Sequence, residues 1–373
     1  MTFSPDYVTA KKRFREAAER LGWTLNAYSI EATGPQGEAL TIDAAASSAT
    51  EAPCVLVLSS GLHGVEGFLG SAVQLALLER WQRESGPPSG VRCVLLHGLN
   101  PFGFAWSRRF DADNIDPNRN FLFEGEEYSG SSERYASFNT LLNPERPPSF
   151  CDLFYLRALW AIARHGKPAL KQALATGQYD FPKGLFFGGK GPSRTKEIVQ
   201  HNLKSWIGSG RTVAHLDFHT GLGAWGTCRL LIDYRLSTAQ RERLTRWFGA
   251  EEWEENDPQK TAVQPRGSFG QWCVAQNHEA AYVFAFAEIG TYSNLSVIAG
   301  LRFENQAHHW APLNAASTAQ AKVRLRELFC PASSAWRSGV IAKCMDLVDR
   351  AIRGLVEEAG HSDDPRHGFN RCT

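Results

Sequence analysis

His63 and Glu66 lie in the run Val55-Leu-Val-Leu-Ser-Ser-Gly-Leu-His63-Gly-Val-Glu66-Gly-Phe-Leu-Gly, where an apolar β-like stretch gives way to a helical pattern. An imidazole nitrogen and a carboxylate oxygen three residues apart, on a turn leaving a strand, can converge on one divalent ion, and zinc accepts both ligand types. The plain alternative is a solvated loop histidine beside a helix-starting glutamate that the helix dipole favours. Two features weigh toward chemistry. No other histidine in the chain has glutamate three residues on, and Gly61, Gly64, Gly67 and Gly70 flank the pair, as close backbone approach requires.

Other residues of the same kind sit at the ends of apolar runs. His219 closes Ala214-His-Leu-Asp-Phe-His219-Thr-Gly. The spacing of His215 and His219 mimics a helical zinc site, but the run is β-like, which sets them ~13 Å apart and forbids one shared ion. His219, at the strand end, is the better ligand, and His215 is read as a core histidine. Asp217 shares the face of His219 and orients a ligand or forms a strand-end turn. Glu288 follows Val283-Phe-Ala-Phe-Ala, where partial desolvation raises a carboxylate pKa and suits a general base or acid; a glutamate paired with an arginine is the alternative. Between these lies Asn100-Pro-Phe-Gly-Phe-Ala-Trp-Ser-Arg108-Arg109-Phe-Asp-Ala-Asp-Asn-Ile-Asp116-Pro-Asn118-Arg119-Asn120-Phe, either a solvated turn or a guanidinium–amide fork for a substrate carboxylate.

Hydrophobic periodicity supplies the elements that must hold these groups. Helices are expected over 6–21, 67–83, 153–177, 196–207, 238–248, 314–329 and 334–357, and strands from Trp23 and over 54–59, 91–96, 212–219, 229–234 and 281–286. Strands alternating with helices predict an α/β fold: a single domain over 1–373, with a mixed, mostly parallel twisted sheet flanked by helices. Its core spans about 50–300, and a loose polar tail covers 361–373. Ligands in such sheets bind outside the carboxyl ends of the strands, which is where the collected residues fall. The irregular stretch 100–148 is long enough to expect a functional loop.

Composition narrows the partners. With 43% hydrophobic and 21% charged residues and a net charge of +1, the chain has no global field to attract nucleic acid or an anionic membrane, so a small substrate is expected. No apolar run approaches the ~20 residues of a membrane span, and the N-terminal residues lack a signal-peptide pattern, which predicts a cytoplasmic protein. The eight cysteines are scattered without C-x-x-C spacing and indicate neither disulfides nor a cysteine zinc site. Gly221-Leu-Gly223-Ala-Trp-Gly226 matches a dinucleotide fingerprint in letters only, since another strand follows where a helix N-terminus is needed. Phe187-Gly-Gly-Lys-Gly-Pro fails the P-loop spacing and reads as a substrate-side loop.

In chain order, His63-Gly-Val-Glu66, Asn100-Pro-Phe-Gly103, Arg109, Asp116-Pro-Asn118-Arg119-Asn120-Phe121, Asp217-Phe-His219-Thr-Gly and Glu288 resemble the zinc carboxypeptidase superfamily over roughly residues 50–300. The pattern is similar to a bacterial branch near the aspartoacylase and succinylglutamate desuccinylase group. This resemblance implies one zinc ion held by His63, Glu66 and His219, with Glu288 as general base. It implies that Arg109 stabilises the oxyanion, with Arg108 as second choice for that role and otherwise a substrate-binding neighbour. Asn118 and Arg119 then clamp a substrate carboxylate, and Asp116 orients His63. The digestive members' mobile tyrosine has no counterpart in Thr261-Ala-Val-Gln-Pro-Arg-Gly-Ser-Phe-Gly, and Tyr234, Tyr282 and Tyr292 do not align to it. The functions implied are a peptidase or amidase cutting beside a free carboxylate in a short peptide or amino-acid conjugate, or an N-acyl amino acid deacylase. A non-catalytic binding protein on the same fold is the third expectation.

Overall fold

The computed structural model describes residues 2–149, 152–166, 175–255, 265–278 and 280–362. Helix α1 (Tyr7–Arg20) starts at Asp6, whose side chain accepts the Thr9 N–H, and buries Tyr7, Ala10, Phe14, Ala17 and Ala18 at helical spacing. There follow β1 (Thr24–Thr33), β2 (Ala39–Ala46), β3 (Cys54–Ser60), α2 (Gly67–Arg83) and β4 (Val91–His97). The stretch expected to be irregular contains α3 (Pro101–Ala105), a 3₁₀ turn at Pro117–Arg119 and α4 (Glu133–Leu142). Then come α5 (Phe154–His165), α6 (Arg194–Ile207), β5 (Thr212–Thr220), β6 (Cys228–Ile232), α7 (Thr238–Phe248) and β7 (Trp253–Glu255). The chain continues with α8 (Phe269–Gln276), β8 (Ala281–Ile289), α9 (Asn294–Trp310), α10 (Ala316–Phe329) and α11 (Ser334–Ser362).

The eight strands form one mixed sheet in the order β1-β2-β4-β3-β5-β8-β6-β7. Its centre, β4-β3-β5-β8, is parallel, and β3 and β4 are buried along their whole length. That explains their continuous apolar sequence: helices cover both faces, so no position needs to be polar. Gln74 of α2 donates to the carbonyls of Leu58 and Leu96 on one face, where α1 and α11 also pack. On the other face Arg92 donates to the Trp206 carbonyl of α6, and the His215 ring meets Phe269 of α8 at 5.7 Å.

Several boundaries differ from the sequence reading. Glu288 lies inside β8, because that strand stays paired with β5 through Ile289. The β2 strand, α8 and α9 were not anticipated. Of the helix expected over 153–177, α5 accounts for residues through His165, and 167–174 lie outside the described residues. Helix α11 runs to Ser362, beyond 357, so the tail expected from 361 begins in helix and residues 363–373 fall outside the described set.

Candidate active site

The carboxyl ends of β3, β5 and β8 bring the candidate residues together. After β3 the chain turns at Gly61, whose φ of +68° suits glycine, and His63 leads into a 3₁₀ turn, Gly64–Glu66, that opens α2. The turn is clasped by the arginine loop: the Gly64 and Val65 N–H groups donate to the carbonyls of Arg109 and Arg108 at 3.2 and 2.7 Å. A Cβ at Gly64 would stand 2.1 Å from the Gly103 carbonyl carbon, so any larger residue there would push the two segments apart.

His63, Glu66 and His219 are all buried, and one ligand atom from each lies within 4.8 Å of the others. His63 Nδ1 is 3.0 Å from Glu66 Oε1, His219 Nδ1 is 3.1 Å from Glu66 Oε2, and the two Nδ1 atoms are 3.1 Å apart. Each ring is backed on its far nitrogen by a carboxylate: His63 Nε2 lies 3.1 Å from Asp116 Oδ1, and His219 Nε2 lies 2.6 Å from Asp217 Oδ2. Both imidazoles therefore turn Nδ1 toward one point. The Thr220 N–H donates to Glu66 Oε2 at 2.9 Å, and the Ser59 hydroxyl donates to Asp217 Oδ1 at 2.7 Å. Burial opposes charge on Glu66, but His63 and His219 hold its carboxyl well below the usual range. Burial likewise opposes a charged His219, and Asp217 and Glu66 override it, raising that imidazole well above its ordinary value.

Glu288 stands in register with His219 across the β5–β8 pair. Its Oε2 is out of solvent with no hydrogen-bond partner. Burial pushes its pKa up to about 7, partly offset by His219. Arg109 reaches the same group, with Nε 3.1 Å from Asp116 Oδ2 and Nη1 3.3 Å from Glu66 Oε1, and its guanidinium lies over the Phe186 ring at 5.6 Å. Its Nη2 approaches His63 Nε2 at 2.7 Å, the nitrogen that Asp116 also faces.

The remaining candidates are placed differently. Arg108 is fully buried and turned away, its Nε 3.1 Å from Glu304 Oε1 and its Nη2 donating to Asn114 and Asn305. Asn118 and Arg119 sit on the turn after Asp116. Asn118 Oδ1 accepts the Phe269 N–H at 3.0 Å, while Arg119 is buried, donates from Nη1 to the Asn118 carbonyl and leaves Nε unpartnered. The glycine-rich 187–192 segment packs on this turn, since Asn120 Nδ2 donates to the carbonyls of Gly188 and Gly191. His215 bonds on both nitrogens inside the core, to Ser59 and Tyr282, and burial lowers its pKa to about 4. Tyr234 and Tyr292 are engaged elsewhere, on the Phe284 carbonyl and Glu327. Sequence reasoning missed Ser59, a polar residue at a strand end that the same rule should have collected. It also missed Phe186, which holds a φ of +57° and carries no sequence signal.

The chain belongs to the family described as protein of unknown function (DUF2817), whose model matches residues 3–343. Among solved structures it is similar to a Shewanella amazonensis protein described as a candidate metallopeptidase, at 16% identity over 87% of this chain and 94% of that one, with a TM-score of 0.41. It is similar to carboxypeptidase A from Helicoverpa armigera at 12% identity over 87% and 73%, with a TM-score of 0.46. The succinylglutamate desuccinylase from Chromobacterium violaceum matches at 16% identity over 89% and 76%, with a TM-score of 0.39. No curated protein matches the chain.

Proposed function

We propose that this chain is a zinc-dependent amide hydrolase that cuts beside a free carboxylate in a short peptide or amino-acid conjugate. The observation behind this reading is the meeting of His63, Glu66 and His219, each imidazole backed by its own carboxylate, beside a Glu288 whose Oε2 has no partner. Two imidazole nitrogens and one carboxylate oxygen suit zinc, and the charge balance agrees. Arg109 pairs with Glu66 and Asp116, Asp217 stands behind His219, and Glu288 lies beside His219, so four carboxylates meet one guanidinium and one raised imidazole, a balance that a divalent cation would offset.

Bound there, zinc supplies a Lewis acid that polarises a carbonyl and acidifies water. The protein's own groups do the rest. Asp217 accepts the Nε2 proton of His219, leaving that ring's Nδ1 lone pair free, while Asp116 and Arg109 together fix the orientation of the His63 ring at its Nε2 edge. Glu288 takes the proton of the attacking water and delivers it to the nitrogen of the leaving amine, a task matched to a basicity near neutrality. Arg109 donates to the carbonyl oxygen as it gains negative charge. Asn118 and Arg119 hold the substrate carboxylate, the role that the order of motifs implies for them.

A hydrolysis screen over short peptides and N-acyl amino acids, with and without chelator, tests this. Chelator-sensitive turnover that disappears when the substrate carboxylate is amidated supports the proposal. Binding of less than about one zinc per chain after loading rejects it and favours a non-catalytic binding protein. Lengthening the acyl side separates a peptidase, which tolerates it, from an N-acyl amino acid deacylase with a closed pocket, which does not.

A further inference from the structure

Helix α5 turns an apolar ridge to solvent. Its inner side, Phe154, Ala158 and Ala161, is buried in a hydrophobic cluster that also contains Val65 of the histidine–glutamate turn. Its outer side carries Leu156, Leu159 and Trp160 at helical spacing, 63%, 54% and 63% exposed, with Leu153 just ahead of them. Tyr155 of the same helix meets α10, its hydroxyl accepting from Arg324 Nη2 at 3.3 Å. Beyond it lies an open hollow of about 560 Å³, lined by Tyr292, Ala319, Val323 and Leu328 among others. Soluble monomers rarely leave a contiguous apolar surface of this kind without a use for it.

The charges set along the ridge are cations. From 153 to 166 the sequence holds Arg157 and Arg164 and no acid, and Arg324 is exposed beside Tyr155. Arg164 lies over the Trp160 ring at 5.5 Å. The acid nearest the hollow, Glu327, is engaged by the Tyr292 hydroxyl and the Ala332 N–H.

We infer that α5 seats the protein on an anionic membrane surface, with its leucines in the headgroup–acyl boundary and its arginines on lipid phosphates. An apolar helix face edged by arginines is the pattern of interfacial helices, and tryptophan prefers the headgroup level. A second copy of this chain is a poorer occupant. A twofold contact would set the same ridge against itself, bringing arginine to arginine with no acid to pair. The net charge of +1, on which the expectation of no membrane partner rested, sums the whole surface and hides a local basic face. No helix among the described residues is long and apolar enough to cross a membrane, so the contact is one of surface seating. It is independent of the chemistry proposed for the site.

Co-sedimentation of the full chain with phosphatidylglycerol and phosphatidylcholine vesicles tests this. The protein should partition to the anionic vesicles, and less so as salt rises. Leu156→Ser with Trp160→Ser should abolish most of that binding, and Arg157→Glu with Arg164→Glu should weaken it about five-fold or more per arginine. These four side chains are exposed, so thermal midpoints should hold. Equal partition into both lipids, no partition, or anionic binding that survives both pairs of substitutions overturns the inference. So does a dimer in light scattering that dissociates in the Leu156→Ser, Trp160→Ser protein.

Discussion

Arg108 and Arg109 are neighbours in sequence and belong to opposite kinds of charge cluster. Arg108 enters a fully buried group in which cation and anion meet within the protein: Glu304 stands between Arg108 and Lys322, and Asn114 and Asn305 take up further guanidinium hydrogen. Arg109 joins a group where carboxylates outnumber cations; both groups leave buried atoms without a hydrogen-bond partner, Glu288 Oε2 here and Arg108 Nε, Arg108 Nη1 and Glu304 Oε2 there, so it is the balance of charge that separates them. Burying charge costs heavily unless it is paired, so a cluster paired from within serves the scaffold, and one left short of positive charge requires something from outside. The two are coupled through the main chain, since the carbonyl beside the Arg108 side chain accepts the Val65 N–H of the histidine–glutamate turn.

That contrast can be broken by substitution. The largest effect is expected from Glu288→Gln, which should lower turnover about 10² to 10⁴-fold while zinc content, read by elemental analysis, stays unchanged. Near-normal turnover would remove Glu288 as the base. In the other cluster, Arg108→Met should cost about 3–5 kcal/mol of stability in urea melts by leaving Glu304 poorly paired, and adding Glu304→Leu should recover part of it. The distinction collapses if Arg108→Met strips zinc from a protein that is still folded.

Smaller effects sharpen the picture. Asp217→Asn should weaken zinc binding about 10 to 100-fold in competition with a chelating dye, because a neutral amide is a weaker acceptor for His219 Nε2 than the carboxylate. Unchanged affinity would reduce Asp217 to a buried partner of Ser59 within β5. The pH dependence should be smaller still. Burial raises Glu288 to about 7 without metal and a bound cation pulls it back down, so kcat/KM should climb with pH along a limb below about 7 and level off above, and this limb should vanish in the glutamine protein. The same shift acts on stability. Because the raised pKa favours the protonated form in the fold, its stabilising contribution is present below the ordinary glutamate value and lost as pH rises toward about 7. Glu288→Gln should therefore raise the melting temperature of metal-free protein more at pH 8 than at pH 5.

The site was more legible than the scaffold that holds it. His63, His219 and Glu288 stand out because polar residues ending apolar β-runs are rare, and the carboxyl end of a parallel sheet gives them one place to meet. Helix α9 escaped because its buried positions include Arg302, Glu304, Asn305 and Gln306, which erase the apolar stripe by which a helix is read. Strand β2 escaped because Ala44, Ala45 and Ala46 carry little strand preference and take their conformation from pairing with β4. Arg109 is preferred to Arg108 only through the family resemblance, since a loop has no periodicity to say which side chain turns inward.

His63 and His219 are 156 residues apart in the chain. They become neighbours only once β5 pairs with β3, and a one-residue slip of β8 against β5 would carry Glu288 to the opposite face of the sheet. The ligand set is therefore a late product of folding, completed by long-range strand pairing that closes slowly. A metal ion cannot nucleate this chain as it does a zinc finger. The ion proposed for the site would act at the end, holding the finished sheet in its correct register and slowing its unfolding.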